Sequence, residues 1–166
     1  MTNVLERLKE AGLALPTPVL PAYSYVPFTR AGSLLFVAGQ TPVLEGKPQF
    51  QGVVGEDINI ETAQAAARMA ALNLLAQVGA ACEGDFDSVR ALRIGGFVRC
   101  RSDFGEQATV IDAASQVILL ALGERGRHAR TAIGTNSLPR GVSVEVDGIF
   151  QIEPTHCGGE PRAAPE

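Results

Sequence analysis

The sequence contains few of the residues that bind metals or cross-link chains. It has three cysteines in 166 residues, with no CxxC pair, and only two histidines, His128 and His156. Because the cysteines are odd in number and far apart in the sequence, neither a disulfide framework nor a structural zinc site is expected. Two distant histidines are too few for a transition-metal centre. We therefore expect no metal and no other cofactor, and we expect a reducing, cytoplasmic setting.

Long apolar runs and a basic surface are also missing. The charged residues between positions 6 and 10 interrupt the place where a secretory signal needs an apolar core, and no run is long enough for a transmembrane helix. The net charge is −4, whereas phosphate binding requires a basic face. The phenylalanines are spread singly, without a base-stacking cluster. The sequence thus predicts neither a membrane nor a nucleic-acid partner.

The common phosphate-binding and nucleophile motifs do not occur. No GxGxxG follows a predicted strand, and neither GxxxxGK[ST] nor GxSxG is found. A serine or cysteine nucleophile needs a histidine base, but nothing supports pairing His128 with Cys100, so His128 is interpreted as a loop residue. What remains is arginine and glutamate chemistry: a guanidinium can hold a carboxylate, and a glutamate can orient or deprotonate a water.

The apolar periodicity that is present predicts one compact α+β domain over residues 1–153, followed by a Pro/Gly-rich tail over 154–166 that we expect to be disordered. The segment 33–40 is predicted to be buried on both faces, and Gly95-Gly96 to form a bulge or a close backbone approach. The predicted elements are a short helix over 3–11, a hairpin with strands at 23–29 and 33–38, a loop over 45–55 with room for one edge strand, a helix over 59–81 capped by Asn59 or Asp57, a strand over 88–98, a helix over 108–122 and two closing strands.

Two helices against one mixed sheet make a two-layer fold in which the second face of the sheet has no helix to cover it. That face must meet either water or another subunit. We therefore expect an oligomer with clefts between its subunits.

The clearest strand pattern lies in Arg127–Ile152, which is predicted to form two strands joined by a tight turn over 138–141. Alternate residues from Val142 to Ile152 are apolar, whereas the opposite face carries two carboxylates, Glu145 and Asp147. A water-exposed strand would show the same alternation. The other interpretation is that this polar face lines a charged cleft.

Several stretches in this order resemble the YjgF/RidA family of imine deaminases, whose members also carry the names endoribonuclease L-PSP and translation initiation inhibitor. They are YVPFTRAGSLLFVAGQTPV, the alanine-rich helix, HARTAIG and LPRGVSVEVDGIF, and together they cover residues 22–152. The sequence is similar to the longer branch of that family, which carries GRHAR.

The resemblance implies a homotrimer with a chorismate-mutase-like fold and ligand clefts between subunits, acting on 2-imino acids without a cofactor. By this resemblance Arg130 holds the substrate carboxylate and Glu145, fifteen residues later, positions the hydrolytic water. Tyr25 closes the pocket. Apart from the resemblance, Gly39-Gln40 is interpreted first as a turn, although its backbone N–H groups could also meet a ligand.

The sequence departs from the family pattern at three positions. Ala38 replaces a serine before Gly-Gln, Ala132 replaces a cysteine but keeps its backbone groups, and Asp112 replaces an asparagine on the second long helix. A carboxylate beside an anionic substrate is unfavourable unless it faces a cation or water.

Each site residue also has a structural interpretation. Arg130 could form a salt bridge with Asp147 or Glu145, Tyr25 could be a structural aromatic, and Asp112 could simply be exposed. Two other functions stay open besides imine hydrolysis: a non-catalytic module that binds small carboxylates, and a ribonuclease or translation inhibitor.

Overall fold

The chain forms a five-stranded mixed sheet with its two long helices packed on one face. The computed structural model describes residues 3–20 and 23–153, so the predicted tail at 154–166 lies outside the described residues. The helices are α1 (Val4–Glu10), α2 (Ile60–Ala81) and α3 (Gln107–Leu122), and the strands are β1 (Phe28–Ala31), β2 (Leu34–Gln40), β3 (Val43–Leu44), β4 (Lys47–Pro48), β5 (Val89–Arg99), β6 (Ala129–Thr135) and β7 (Val144–Ile152).

The strand order in the sheet is β1-β2-β7-β5-β6, so the α+β prediction with a mixed sheet is confirmed. All neighbours are antiparallel except β5 and β6, which are parallel. The predicted turn at 138–141 exists as a single 3₁₀ turn, Pro139–Gly141. The two strands that it joins are not neighbours, because β5 lies between β6 and β7. This arrangement separates the two proposed catalytic residues.

Each long helix has one end at the position that a cap residue predicts. Asn59 caps α2, since its Oδ1 accepts a hydrogen bond of 2.9 Å from the backbone N–H of Thr62. Gly123 ends α3 with a φ of 61°, a conformation that glycine adopts without steric cost. Small side chains on α2 let the helix lie close to the sheet, and five of its alanines have no exposed surface: Ala63, Ala66, Ala67, Ala70 and Ala71.

The predicted alternation in β7 is confirmed, because every second residue from Val144 to Ile152 is buried. Two local predictions were wrong. The segment 33–40 is buried on one face only, since Phe36 is 39% exposed on the side that lacks helices. The first strand begins at Phe28, so Tyr25 precedes it. The loop over 45–55 includes one short strand, as its prediction allows: this strand is β4, which pairs with β3 as a separate small hairpin.

The irregularity in β5 is also not where the two glycines predict it. The pairing register with β7 shifts between Ala91 and Arg93, before Gly95. Gly96 instead provides the close approach, because a Cβ at that position would lie 2.6 Å from the Ile111 side chain of α3.

The sheet face opposite the helices is open in the single chain. It exposes two large apolar side chains, Phe36 on β2 and Ile133 on β6, the latter with 47% of its surface accessible. No helix in the described part of the chain is both long and apolar enough to span a membrane.

Candidate functional site

Glu145 lies on the open face of the sheet and directly over Gly39 of the neighbouring strand. Its carboxylate occupies the space that a Cβ on residue 39 would fill, so any residue larger than glycine there would force the carboxylate to move. Burial, and to a lesser extent the nearby Asp147 carboxylate, raises the pKa of Glu145 above its ordinary value. No hydrogen bond within the described residues offsets this rise. Glu145 is therefore a partly desolvated carboxylate whose oxygens are available for a ligand.

The cleft beside Glu145 has a volume of about 670 Å³. Its wall is more apolar than polar, and five of the thirteen lining residues, including Tyr25, come from the segment before β1. Gly39 and Gln40 form the edge of β2, and Arg140 supplies a positive charge from the turn before β7. The lining residues are Val19, Leu20, Tyr23, Tyr25, Pro27, Gly39, Gln40, Thr41, Val43, Asn73, Pro139, Arg140 and Glu145.

Arg130 lies on β6 but points to the helix side of the sheet. It pairs in register with Ile94, a fully buried residue of the helix-covered face. Glu145 pairs with Phe97, three positions further along the same strand. Because side chains alternate along a strand, residues three apart point to opposite faces. Arg130 and Glu145 of one chain are therefore on opposite sides of the sheet and do not share a cleft.

The guanidinium of Arg130 is held against α3. Nη1 donates to Asp112 Oδ1 at 3.1 Å and to Ser115 Oγ at 3.1 Å, and Nη2 donates to the Ala108 carbonyl at 3.3 Å. The side chain keeps 24% of its surface exposed. It opens onto a second pocket of about 420 Å³, which is lined by Ser115, Leu119, Arg127, His128 and Arg130.

Arg130 does form a salt bridge, but within one chain its partner is neither of the two carboxylates predicted, Asp147 and Glu145. Its partner is Asp112, whereas Asp147 accepts hydrogen bonds from Arg93 Nη1 at 3.3 Å and from the backbone N–H of Gly95 at 3.0 Å. The structure thus places Asp112 beside Arg130 on the helix side. Ala132, two residues after Arg130, is half-buried on the same side of β6 and packs against the core.

Sequence reasoning missed two residues. Arg140 lines the cleft of Glu145, and His128 bonds to Ser115 at 2.9 Å, so His128 is not an isolated loop residue. Because His128 lies two residues before Arg130, the sequence could have indicated that both side chains lie on the same side of the sheet. It could not have indicated the partner of His128, because Ser115 belongs to a separate helix, α3. Within the ranges 3–20 and 23–153, no three His, Cys, Asp or Glu side chains cluster in a way that would hold a metal ion.

The fold defines a class of small α+β proteins in which two helices cover one face of a mixed sheet. The family model described as "YjgF/chorismate mutase-like, putative endoribonuclease" matches residues 5–146 of the sequence. The chain belongs to this YjgF family.

Individual relatives agree with this assignment. Protein TCP17 of Trypanosoma cruzi is 38% identical over 152 residues, covering 90% of this chain and 94% of that protein. The crystal structure of Atu1372 from Agrobacterium tumefaciens, whose function is described as unknown, is 46% identical with a TM-score of 0.85, covering 90% of this chain and 92% of that one. A "putative endoribonuclease" of Shewanella oneidensis is 32% identical with a TM-score of 0.86, and the match covers 90% and 99% of the two chains.

Proposed function

We propose that this protein hydrolyses reactive 2-imino acids to 2-oxo acids and ammonia in a cleft between subunits. The observation that carries the proposal is Glu145, a carboxylate with a raised pKa and no hydrogen-bond donor among the described residues, in the wall of a cleft large enough for a small organic acid. A carboxylate in this state is suited to hold a water and to accept its proton.

The chemistry requires little more than this carboxylate. The water oxygen attacks the imine carbon while Glu145 takes one of its protons and passes it to the imine nitrogen, which gives a carbinolamine. Glu145 then moves the hydroxyl proton to the amino nitrogen. The C–N bond breaks, its electron pair leaves with nitrogen as ammonia, and the O–H electron pair forms the C=O bond of the 2-oxo acid. The imine carbon is already electrophilic, so the step needs no metal or organic cofactor to activate it.

Arg130 is proposed to bind the substrate carboxylate through its guanidinium. Because Arg130 and Glu145 of one chain point to opposite faces of the sheet, the two can meet only when they come from different subunits. We propose a homotrimer in which each cleft joins the Glu145 side of one chain to the Arg130 side of the next. The exposed Phe36 and Ile133 on the open face support an assembly that covers this face.

The remaining site residues have subsidiary roles in the proposal. The backbone at Gly39 leaves room for the Glu145 carboxylate and presents its amide to the ligand. Tyr25 supplies part of the apolar wall that limits access of water. Ala132 would contribute its backbone groups, and Asp112 would tune the charge of Arg130 through their ion pair.

A non-catalytic carboxylate-binding module is the second candidate, and the ion pair between Arg130 and Asp112 favours it, since a partly neutralised anchor suits reversible binding more than tight capture. The ribonuclease name that accompanies the family is the third candidate. The net charge of −4 counts against it, because RNA binding draws on a basic surface.

The test is to generate imines in situ with an amino-acid oxidase and to follow their decay. We expect acceleration by the wild type, a loss of about 10²–10⁴-fold in kcat for Glu145→Gln, and a loss of about 10–100-fold in kcat/KM for Arg130→Ala. Arg101→Ala is the matched control, because Arg101 also pairs with an exposed aspartate, Asp103, but lies outside both pockets.

The three candidates give different results. A wild type that gives no acceleration over buffer across several amino acids rules out the deaminase for those substrates. If 2-oxo acids then still bind in calorimetry, and Arg130→Ala abolishes that binding, the protein is a binding module. RNA cleavage that survives Arg130→Ala contradicts both of these candidates.

A further inference from the structure

A chain of hydrogen bonds runs from Arg130 to a backbone carbonyl behind it. Arg130 Nη1 lies 3.1 Å from Ser115 Oγ, Ser115 Oγ lies 2.9 Å from His128 Nε2, and His128 Nδ1 lies 2.6 Å from the carbonyl oxygen of Gly126. The direction of each bond follows from what the groups can donate and accept. A carbonyl only accepts, so Nδ1 carries a hydrogen. In the neutral imidazole Nε2 is then the acceptor, Ser115 donates its hydroxyl hydrogen to it, and a serine lone pair faces Arg130.

The far end of this chain is fixed by close packing. Gly126 lies so near to α3 that a Cβ there would meet the Ile118 carbonyl oxygen at 2.6 Å and the Leu119 Cα at 2.9 Å. Its carbonyl is therefore a rigid anchor for the imidazole of His128. Ser115 is 7% exposed in the middle of α3, so its position is also set by the core.

The network determines which hydrogens of Arg130 remain for a ligand. A guanidinium has five N–H groups. Both hydrogens of Nη1 go to Asp112 and Ser115, and one hydrogen of Nη2 goes to the Ala108 carbonyl. The Nε–H and one Nη2–H are left without a partner among the described residues. Two such hydrogens are what a carboxylate needs for two hydrogen bonds.

We propose that Ser115 and His128 are positioning residues that hold the Arg130 guanidinium in its carboxylate-binding orientation. The inference rests on the proposed function of Arg130 as the substrate anchor. Asp112 cannot hold the guanidinium alone in a defined orientation, because its own side chain is about half exposed and exposed ion pairs are weak. The buried Ser115 bonds to the guanidinium and is itself held by the half-buried His128. Neither side chain carries a negative charge, so neither competes with the substrate for the positive charge of Arg130.

The same serine–histidine pair is not arranged as a nucleophile and base. Ser115 lies inside a regular helix, where backbone N–H groups are bonded to carbonyls four residues earlier and are not free to stabilise an oxyanion. Its hydroxyl also accepts from Arg130, which holds the oxygen in place.

The test compares His128→Ala, His128→Gln and Ser115→Ala with the wild type. The readouts are Kd for a 2-oxo acid by calorimetry, and KM and kcat in the coupled oxidase assay. We expect His128→Ala and Ser115→Ala to raise Kd and KM about tenfold, as for loss of one hydrogen bond to a charged group, with little change in kcat. His128→Gln should keep most of the affinity that His128→Ala loses, because the oxygen of the glutamine side chain can accept the Ser115 hydroxyl hydrogen. Ser102→Ala, in an exposed loop, is the serine control.

A second measurement does not depend on turnover. Nitrogen NMR of the His128 ring should show Nδ1 protonated and Nε2 unprotonated in the neutral form, and Ser115→Ala should shift the Nε2 resonance. The inference is overturned if both alanine variants keep the wild-type Kd and KM, if kcat falls while KM stays constant, or if a fluorophosphonate labels Ser115. If the wild type shows no turnover but binds a 2-oxo acid, and this binding weakens in His128→Ala, the deaminase proposal fails and the positioning role is supported. If the wild type binds no carboxylate at all, both the deaminase proposal and the positioning role fail.

Discussion

Gly39 and Glu145 depend on each other across the boundary between β2 and β7. The Glu145 carboxylate lies where a side chain on residue 39 would begin, and the pairing register slips at this point, between Val37 and Gln40. Local irregularity at the edge of a cleft is a common way for a sheet to direct one side chain toward a ligand. Residue 39 therefore controls the position of the carboxylate through its lack of a side chain.

Gly39→Ala should displace the Glu145 carboxylate while leaving its chemistry intact. Misplacement of a reacting group by about 1 Å can cost about 10²-fold in rate, and we expect a loss of that order in kcat. The cost in the free energy of unfolding should be about 1–3 kcal/mol, as for a methyl group inserted into a packed site. Gly105→Ala is the control, because nothing lies near its Cβ position and its φ is not positive. Full activity in Gly39→Ala would show that the observed position of Glu145 is not the working one.

Glu145→Gln should make the protein more stable near neutral pH. The folded state raises the pKa of Glu145, chiefly by burial, so it binds this proton more tightly than the unfolded chain does. The free energy of unfolding therefore falls as the pH rises from the unfolded pKa through the folded pKa, and the penalty is complete above that window. Glutamine carries no charge and avoids the penalty. The gain should disappear when the pH falls below the ordinary glutamate pKa of about 4.3.

Thermal unfolding of both proteins at a series of pH values measures this effect. Glu56→Gln, at an exposed loop position, serves as the control for loss of one carboxylate from the surface. A stability difference between Glu145→Gln and the wild type that is the same at all pH values would contradict the desolvation of Glu145.

Patterns along the chain predicted the fold well because they report local physics. The N-cap at Asn59, the terminating Gly123 and the alternation from Val144 to Ile152 each reflect the backbone or the burial of single elements. The burial of segment 33–40 was predicted wrongly for a related reason. An apolar run looks the same whether a helix or another molecule covers its second face, and here no helix does so at Phe36.

The site was harder to predict because it depends on which strands are neighbours. The turn at 138–141 does not reveal that β5 separates β6 from β7, and only this insertion and the register of β5 place Arg130 and Glu145 on opposite faces. The bond between Ser115 and His128 likewise joins α3 to the segment just before β6, a contact that no short motif encodes.

Asp112→Asn should increase the affinity for small carboxylates. Asp112 Oδ1 accepts from Arg130 Nη1 at 3.1 Å and partly neutralises the proposed anchor, while Gln116 Nε2 donates to Asp112 Oδ2 at 2.8 Å and keeps it in place. Asparagine retains an acceptor but removes the negative charge. We expect a decrease of about two- to fivefold in Kd for a 2-oxo acid, the range of an exposed ion pair.

Calorimetry on Asp112→Asn and on Gln116→Ala separates charge from orientation. The Gln116 variant keeps the Asp112 charge and loses only its support, so its Kd should stay near that of the wild type. If Asp112→Asn instead weakens binding, the negative charge of Asp112 is needed to hold the guanidinium, and its competition with the substrate is not the dominant effect.

Subunits that each lack one catalytic residue should restore activity when they assemble together. If Arg130 and Glu145 act on one substrate, as proposed, they must come from two chains, since within one chain they face opposite sides of the sheet. In a cyclic trimer of Arg130→Ala and Glu145→Gln chains, each mixed trimer contains one cleft with both residues intact. Random assembly from equal amounts makes about three quarters of the trimers mixed, so about one quarter of the wild-type activity should return.

The experiment uses co-expressed chains with two different tags, so that mixed oligomers can be purified and their imine hydrolysis compared with each variant alone. The double variant, with both changes in one chain, is the control when it is co-expressed with the wild type. When the wild type is mixed with the double variant, a cleft is intact only where both of its chains are wild type. Trimers with a single wild-type chain should therefore be inactive. Purified mixed oligomers of the two single variants without activity would show that the working site lies within one chain, and a monomer in sedimentation would remove the shared cleft altogether.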